Sequence, residues 1–279
     1  MPELPDLLYI KNHLTPVLLG KTVSEAVVKQ SIIIRNTLAQ GIDTALVGRS
    51  VISIDVRAPF FRIAFSDRTD LILNLMLAGR LQLQRLPEKA IGYLCFSLVF
   101  DGGMRLNVAD EQKMAKAYLV REGHYEAIPR YDRLGINIRS PEFTFEEFAR
   151  LAEAHRRKQV RVFINDHTIL SAIGNAYADE ILFEARIHPK TFVARLSHEE
   201  IKALYSSIGS VMDWGIRKVE EAQEPIHIKV RDHMKVRNRK DEPCPRCGAT
   251  IRREGVRGYD VFFCPRCQPA SRQHFIDWQ

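Results

Sequence analysis

Four cysteines are spaced to hold one metal ion. Cys244-x2-Cys247 and Cys264-x2-Cys267 stand 16 residues apart. In that arrangement each knuckle aims two thiolates at a shared ion, and the two knuckles complete a tetrahedron. One zinc ion suits this donor set. Four thiolates leave no open coordination position, so the zinc would hold the fold and do no chemistry. The alternatives are a redox pair or four unliganded thiols. The intervening residues can make a hairpin, with Gly255 and Gly258 near its tip. A second candidate is the start of the chain, Met1-Pro2-Glu3-Leu4-Pro5-Asp6. Methionine ahead of a small residue such as proline is usually removed. That leaves Pro2 as a secondary amine with a pKa near ~8, partly neutral at physiological pH and nucleophilic without a strong activating base. Attack on a sugar C1′ would form an iminium, which is an electron sink, and Glu3 is placed to move protons.

These groups need a scaffold, and the composition allows a substantial one. The 279 residues are 46% hydrophobic and 27% charged, ordinary values for globular domains, which excludes a collagenous or largely disordered chain. No apolar run reaches the ~18 residues of a membrane span. The N-terminus carries no basic region of a secretory signal, so a cytoplasmic, nucleoid-associated location is expected. Cys95, in YLCFSLVF, is expected to be a buried thiol. The net charge is +7, and Lys229–Arg257 alone holds ten Lys/Arg against four Asp/Glu, which favours a polyanionic partner.

Leu7, Leu8, Ile10, Leu14 and Leu18 follow helical spacing, and Gly20 is a plausible stop. From about 22 to 125, short β-branched and apolar runs (VSEAVV, SVISIDV, FFRIAF, LILNLML, LQLQRL, YLCFSLVF, MRLNVA) alternate with turn residues, the pattern of a β-sandwich or barrel. Thr144 with Glu147 and Ser197 with Glu200 are capping-box pairs that open helices. Residues 222–243 are polar and basic and read as a linker. The expected fold is α+β and multidomain: residues 1–130 a β-sandwich with a leading helix, 131–235 a helical domain, and 236–279 a cysteine-rich hairpin.

MPELPD, AIGNAYADEILFEARIHP and the paired Cys-x2-Cys tail ending FFCPRCQ together resemble the Fpg/Nei family of DNA glycosylases, in the same order and over essentially the whole chain. Residues 172–189 look like that family's helix-two-turns-helix signature. The resemblance implies a β-sandwich, a helix-two-turns-helix domain and a zinc hairpin clamping duplex DNA that contains a damaged base or an abasic site. It implies a monomer that flips out the damaged base. Pro2 then matches the nucleophile and Glu3 the essential acid. Asn175 matches a phosphate-binding asparagine, and Arg237 and Arg239 fall where the family also contacts phosphates.

Several positions depart from the family pattern. Asp6 stands for a glutamate, a shorter carboxylate with less reach. A loop lysine is missing from Arg57-Ala58-Pro59-Phe60-Phe61-Arg62, where Arg57 or Arg62 are the substitutes at hand. The hairpin arginine falls at Tyr259, and Arg257 could replace it if the hairpin is offset. HLGMSG reads Asn74-Leu75-Met76-Leu77-Ala78-Gly79, which puts Asn74 among the candidate DNA contacts, and DPRRFG reads Asp110-Glu111-Gln112-Lys113-Met114-Ala115. Leu77 and Met114 could wedge into a base stack; ordinary core packing is the expectation slightly favoured. No arginine is evident to pair with the orphaned base. Each lost charged phosphate contact is worth about 1.5–3 kcal/mol. The runner-up function is therefore a catalytically weak, damage- or structure-recognising DNA-binding protein. An RNA-binding zinc ribbon fits only the tail.

Overall fold

The computed structural model describes residues 1–270. The chain forms two compact units: residues 1–132 with 219–230, and residues 133–218 with 231–270. Residues 219–230, which run from the last helical residues into the linker segment, belong to the first unit, and the helical and cysteine-rich segments share the second.

The first unit opens with helix α1 (Leu4–Leu18), whose Leu7, Leu14 and Leu18 make a buried stripe. A short helix α2 (Ile42–Ala45) and nine strands follow: β1 (Val23–Val28), β2 (Ile34–Asn36), β3 (Val51–Arg57), β4 (Phe60–Phe65), β5 (Thr69–Asn74), β6 (Arg80–Arg85), β7 (Leu94–Phe100), β8 (Met104–Ala109) and β9 (Lys116–Arg121). They form sheets of order β1-β7-β8-β6 and β2-β9-β5-β4-β3, antiparallel except for β2 with β9. Leu71, Ile72, Leu81, Leu98, Leu106 and the Cys95 thiol are buried in this unit, and burial raises the Cys95 pKa.

The run LILNLML leaves the strand earlier than its composition suggests. Strand β5 ends at Asn74, Met76 turns left-handed at φ +48°, and the Gly79 N–H donates to the Leu75 carbonyl at 2.9 Å. A Cβ on Gly79 would lie 2.3 Å from that oxygen, so the turn requires glycine.

The second unit contains a two-residue parallel pair, β10 (Ile136–Asn137) with β11 (Leu170–Ser171), and helices α3 (Phe145–Ala154), α4 (Val160–Ile164), α5 (Asn175–Glu184) and α6 (His198–Ala222). A hairpin of β12 (Arg252–Val256) and β13 (Tyr259–Phe263) follows. Both capping boxes form their expected first half: Thr144 Oγ1 accepts the Glu147 N–H at 3.3 Å, and Ser197 Oγ accepts the Glu200 N–H at 3.2 Å. Glu200 also reaches back to the Ser197 N–H at 2.8 Å. Helix α5 is buried from Ala176 to Phe183, and its Phe183 packs with Val236, Ile251, Phe262, Cys244 and Cys264 in one apolar cluster.

Candidate active site and metal centre

Pro2 and Glu3 sit at the mouth of α1, both buried. Glu3 is the N-cap and Asp6 the third helical residue. The Glu3 N–H donates to Asp6 Oδ2 at 2.7 Å, one half of a capping box. Pro5 sits in the first turn, where no N–H is needed.

Pro2 lines a small pocket with Asp6 of α1, Leu75, Gly79 and Arg80 beyond β5, and Ile226–Lys229. Lys229 Nζ donates to the Leu77 carbonyl at 2.6 Å, tying that returning segment to the turn. Burial, and then the Arg80 charge, push the His227 imidazole below its ordinary 6.5. Sequence reading singled out neither His227 nor Lys229. They lie about 150 residues from the turn they line, and no linear signal joins the two.

The β5–β6 turn (75–79) and the β8–β9 turn (110–115) are neighbours by strand pairing. Asn74 faces Lys116 across β5 and β9, and Arg80 faces Ala109 across β6 and β8. The two turns therefore start and end side by side. An acceptor side chain anchors each. Asn74 Oδ1 takes the Met76 N–H at 3.1 Å; the buried Asp110 takes those of Gln112 at 2.9 Å and Ala115 at 2.6 Å. The expectation that Leu77 and Met114 pack in the core is wrong: they are 52% and 39% exposed. Replacing both with alanine should shift Tm by no more than ~2 °C, as surface changes do. A Tm loss matching a core truncation of about 2–5 kcal/mol would contradict the exposure.

The substitutes considered for the missing lysine are engaged elsewhere. Arg57 lies 4.7 Å over the Tyr131 ring. Arg62 Nε donates to the buried Asp70 at 2.9 Å, and its Nη1 lies 3.4 Å from Asp55.

In the second unit Asn175 opens α5. Arg161 Nη2 donates to its Oδ1 at 3.1 Å and to its backbone carbonyl at 3.2 Å, and the Asn165 amide lies against the same side chain. Arg161 is fully buried. Asp179 lies between two guanidiniums, Arg161 Nε at 3.0 Å and Arg237 Nη1 at 2.7 Å. Asp179→Ala should cost about 3–5 kcal/mol in urea unfolding, because it leaves buried positive charge uncompensated. An unchanged midpoint would contradict that role.

Arg237 also donates to the Asp260 carbonyl at 2.8 Å, and Arg239 donates to Glu242 at 2.8 Å and the Asp232 carbonyl at 3.0 Å. Both arginines thus brace the segment ahead of the hairpin. Arg257 and Gly258 form its two-residue turn, with φ of +49° and +85° and with Val256 paired to Tyr259. Positive φ at both positions is what a type I′ turn requires. Arg257 is exposed at the tip. Tyr259 stands where the family arginine was expected, with the Arg161 guanidinium 5.8 Å from its ring.

The four cysteine Sγ atoms lie within 4.8 Å of one another. Cys244 to Cys267 is 3.9 Å and Cys247 to Cys264 is 3.5 Å. A tetrahedral zinc with bonds of about 2.3 Å needs sulfurs about 3.8 Å apart, so the set fits one zinc ion and no disulfide is present.

Comparison with known proteins agrees along the chain. Residues 1–117 match the formamidopyrimidine-DNA glycosylase N-terminal domain, 134–224 the formamidopyrimidine-DNA glycosylase H2TH domain, and 241–270 a zinc finger found in FPG and IleRS. The formamidopyrimidine-DNA glycosylase of Cytobacillus firmus is 31% identical over 278 residues, 96% of this chain and 100% of that protein. The one from Thermus thermophilus is 30% identical over 96% and 98%. The crystal structure of MutM (Fpg) from Thermus thermophilus superposes with a TM-score of 0.84 at 27% identity, covering 97% of this chain and 100% of that one. A Lactococcus lactis Fpg solved with abasic-site DNA shares the fold, with a TM-score of 0.85 at 23% identity over 96% and 100%.

Proposed function

The chain belongs to the formamidopyrimidine-DNA glycosylase family, and from that premise we propose that it excises a damaged base from duplex DNA through Pro2 and then cuts the strand. Removal of Met1 frees the Pro2 nitrogen. Its lone pair attacks C1′ as the bond to the base breaks, and the base leaves with a proton. The C1′–O4′ bond then opens, O4′ takes a proton, and C1′ becomes doubly bonded to nitrogen. This cationic iminium acidifies C2′. Loss of a C2′ proton expels the 3′ phosphate and breaks the strand; water hydrolyses the iminium and restores the amine. Glu3 carries the protons, a role worth about 10²–10⁴-fold. The observation that carries this reading is the pairing of Pro2 and Glu3 at the N-terminus of α1, with the Glu3 backbone held by Asp6 at 2.7 Å.

Asn175 Nδ2 and the exposed Arg257 donate to phosphates, with Arg237 and Arg239 bracing that surface and Asn74 holding the turn that carries Leu77. Leu77 and Met114 occupy the space that the flipped base leaves. Zinc on the four thiolates holds the hairpin. The protein acts as a monomer on duplex DNA in the nucleoid. Among the described residues, no helix is long and apolar enough to cross a membrane.

Borohydride reduction of the processed, zinc-loaded protein with a duplex carrying one abasic site should trap a covalent adduct. Affinity should fall steeply with salt, as phosphate contacts require. The engagement of Arg57 and Arg62 favours one competing reading, a DNA-binding protein with little catalysis. Tight abasic-site binding with no trapped adduct would establish that alternative.

A further inference from the structure

We propose that Tyr93 is a base-stacking residue, presenting its ring to an unstacked base of a damaged duplex beside Leu77 and Met114. This rests on the reading of the protein as a DNA glycosylase. Tyr93 is the most exposed large apolar side chain among the described residues, at 64%. It is also held at φ +61°, a left-handed conformation that bulky L-residues rarely adopt. Exposure and strain both oppose an aromatic residue at this position. A glycine would relieve both, so a purely structural account leaves the ring unexplained.

Strand pairing places the ring at the turns already described. Leu94 of β7 and Arg80 of β6 both face Ala109 of β8. The next row across the sheet end is therefore Tyr93, Asp110 and Gly79. The Asp110 N–H donates to the Tyr93 carbonyl at 3.0 Å, which fixes Tyr93 to the start of the turn that carries Met114. With strands about 4.8 Å apart, Tyr93 lies one strand from that turn and about 10 Å from the turn that carries Leu77. That width matches about three base steps.

The surrounding charge selects the partner. Arg80, Lys113 and Lys116 stand at this end of the sandwich. Of its acids, Glu111 pairs with Arg80 at 3.7 Å, Asp110 is spent on its own turn, and Glu3 and Asp6 are buried at the start of α1. An apolar ring beside the Lys113 and Lys116 ammonium groups suits a stacked polyanion rather than an apolar protein surface. Leu77 and Met114 can fill a gap in the stack; of these three side chains Tyr93 is the one with a π face.

The test uses the zinc-loaded full chain and a duplex with a tetrahydrofuran abasic analogue opposite 2-aminopurine. Wild type and Tyr93→Phe should bind alike and quench the 2-aminopurine. Tyr93→Ala should bind ~5- to 150-fold more weakly, the range of one base–aromatic stack, and leave the emission unquenched. Tyr93→Gly should bind as weakly while its Tm rises, which separates lost stacking from lost folding. Wild-type affinity and quenching in Tyr93→Ala, with borohydride trapping intact in the unmodified protein, would overturn the stacking role alone. Failure of the unmodified protein to bind the abasic duplex would remove the functional reading and the inference together.

Discussion

Pro2→Gly is expected to cut base excision by at least ~10²-fold and to remove most of the borohydride-trapped adduct, while duplex affinity stays within a few-fold. Glycine leaves a primary amine, which forms an imine that must be protonated before it withdraws electrons. Proline forms a permanently charged iminium. Glycine also frees the φ that the proline ring holds, so the attacking nitrogen loses its preset approach. Glu3→Gln should separate the two stages. Base release needs a proton delivered to the departing groups and should fall ~10²–10⁴-fold. A preformed abasic sugar has already lost its base, so trapping there should persist. Mass spectrometry must first establish that Met1 has been removed, because a blocked nitrogen would mimic the variant. Full trapping by processed Pro2→Gly would move the nucleophile elsewhere, and Glu3→Gln variants that excise normally would remove Glu3 from proton transfer.

Removal of zinc is the second large effect. Structural zinc contributes about 10–16 kcal/mol of apparent binding free energy in isolated zinc-finger peptides near pH 7, and that binding is coupled to folding. Here Cys244 and Cys264 are also members of the apolar cluster with Phe183, Val236, Ile251 and Phe262. Arg246, between the first two cysteines, donates to the Phe183 carbonyl at 2.9 Å and to Glu184 at 3.0 Å. Loss of the metal should therefore loosen α5, which carries Asn175, as well as the hairpin that carries Arg257. Chelation should release one zinc per chain and raise amide exchange across 244–267 and the end of α5. Exchange in strands β3 to β9 should not change. Damaged-duplex affinity should fall more than ~10²-fold. Because the ligands must be thiolates, release should become easier as pH falls. A chelated protein that retains its DNA affinity and its hairpin protection would show that the zinc is dispensable.

Features encoded within a few residues were the ones legible in the chain. The two Cys-x2-Cys knuckles, the Pro2-Glu3 start, both capping boxes and the Gly174-Asn175 turn are local arrangements, set by bond geometry and nearest backbone groups. Most strands were legible for the same reason, since alternation shows in a short window. β9 (KAYLVR) went unmarked although it lies between β2 and β5, because its place depends on partners distant in sequence. Leu77 was misplaced because LILNLML has strand composition throughout, and the left-handed Met76 and the close Gly79–Leu75 contact interrupt it. Which turns became neighbours follows from strand pairing, which joins residues 75–79 to 110–115 and places Tyr93 beside them. Tertiary packing also returned Ile226–Lys229 to Pro2 and set Arg161 behind Asn175. Those contacts depend on long-range burial and charge pairing, whose partners are chosen by chain topology, and topology has no fixed spacing in the sequence.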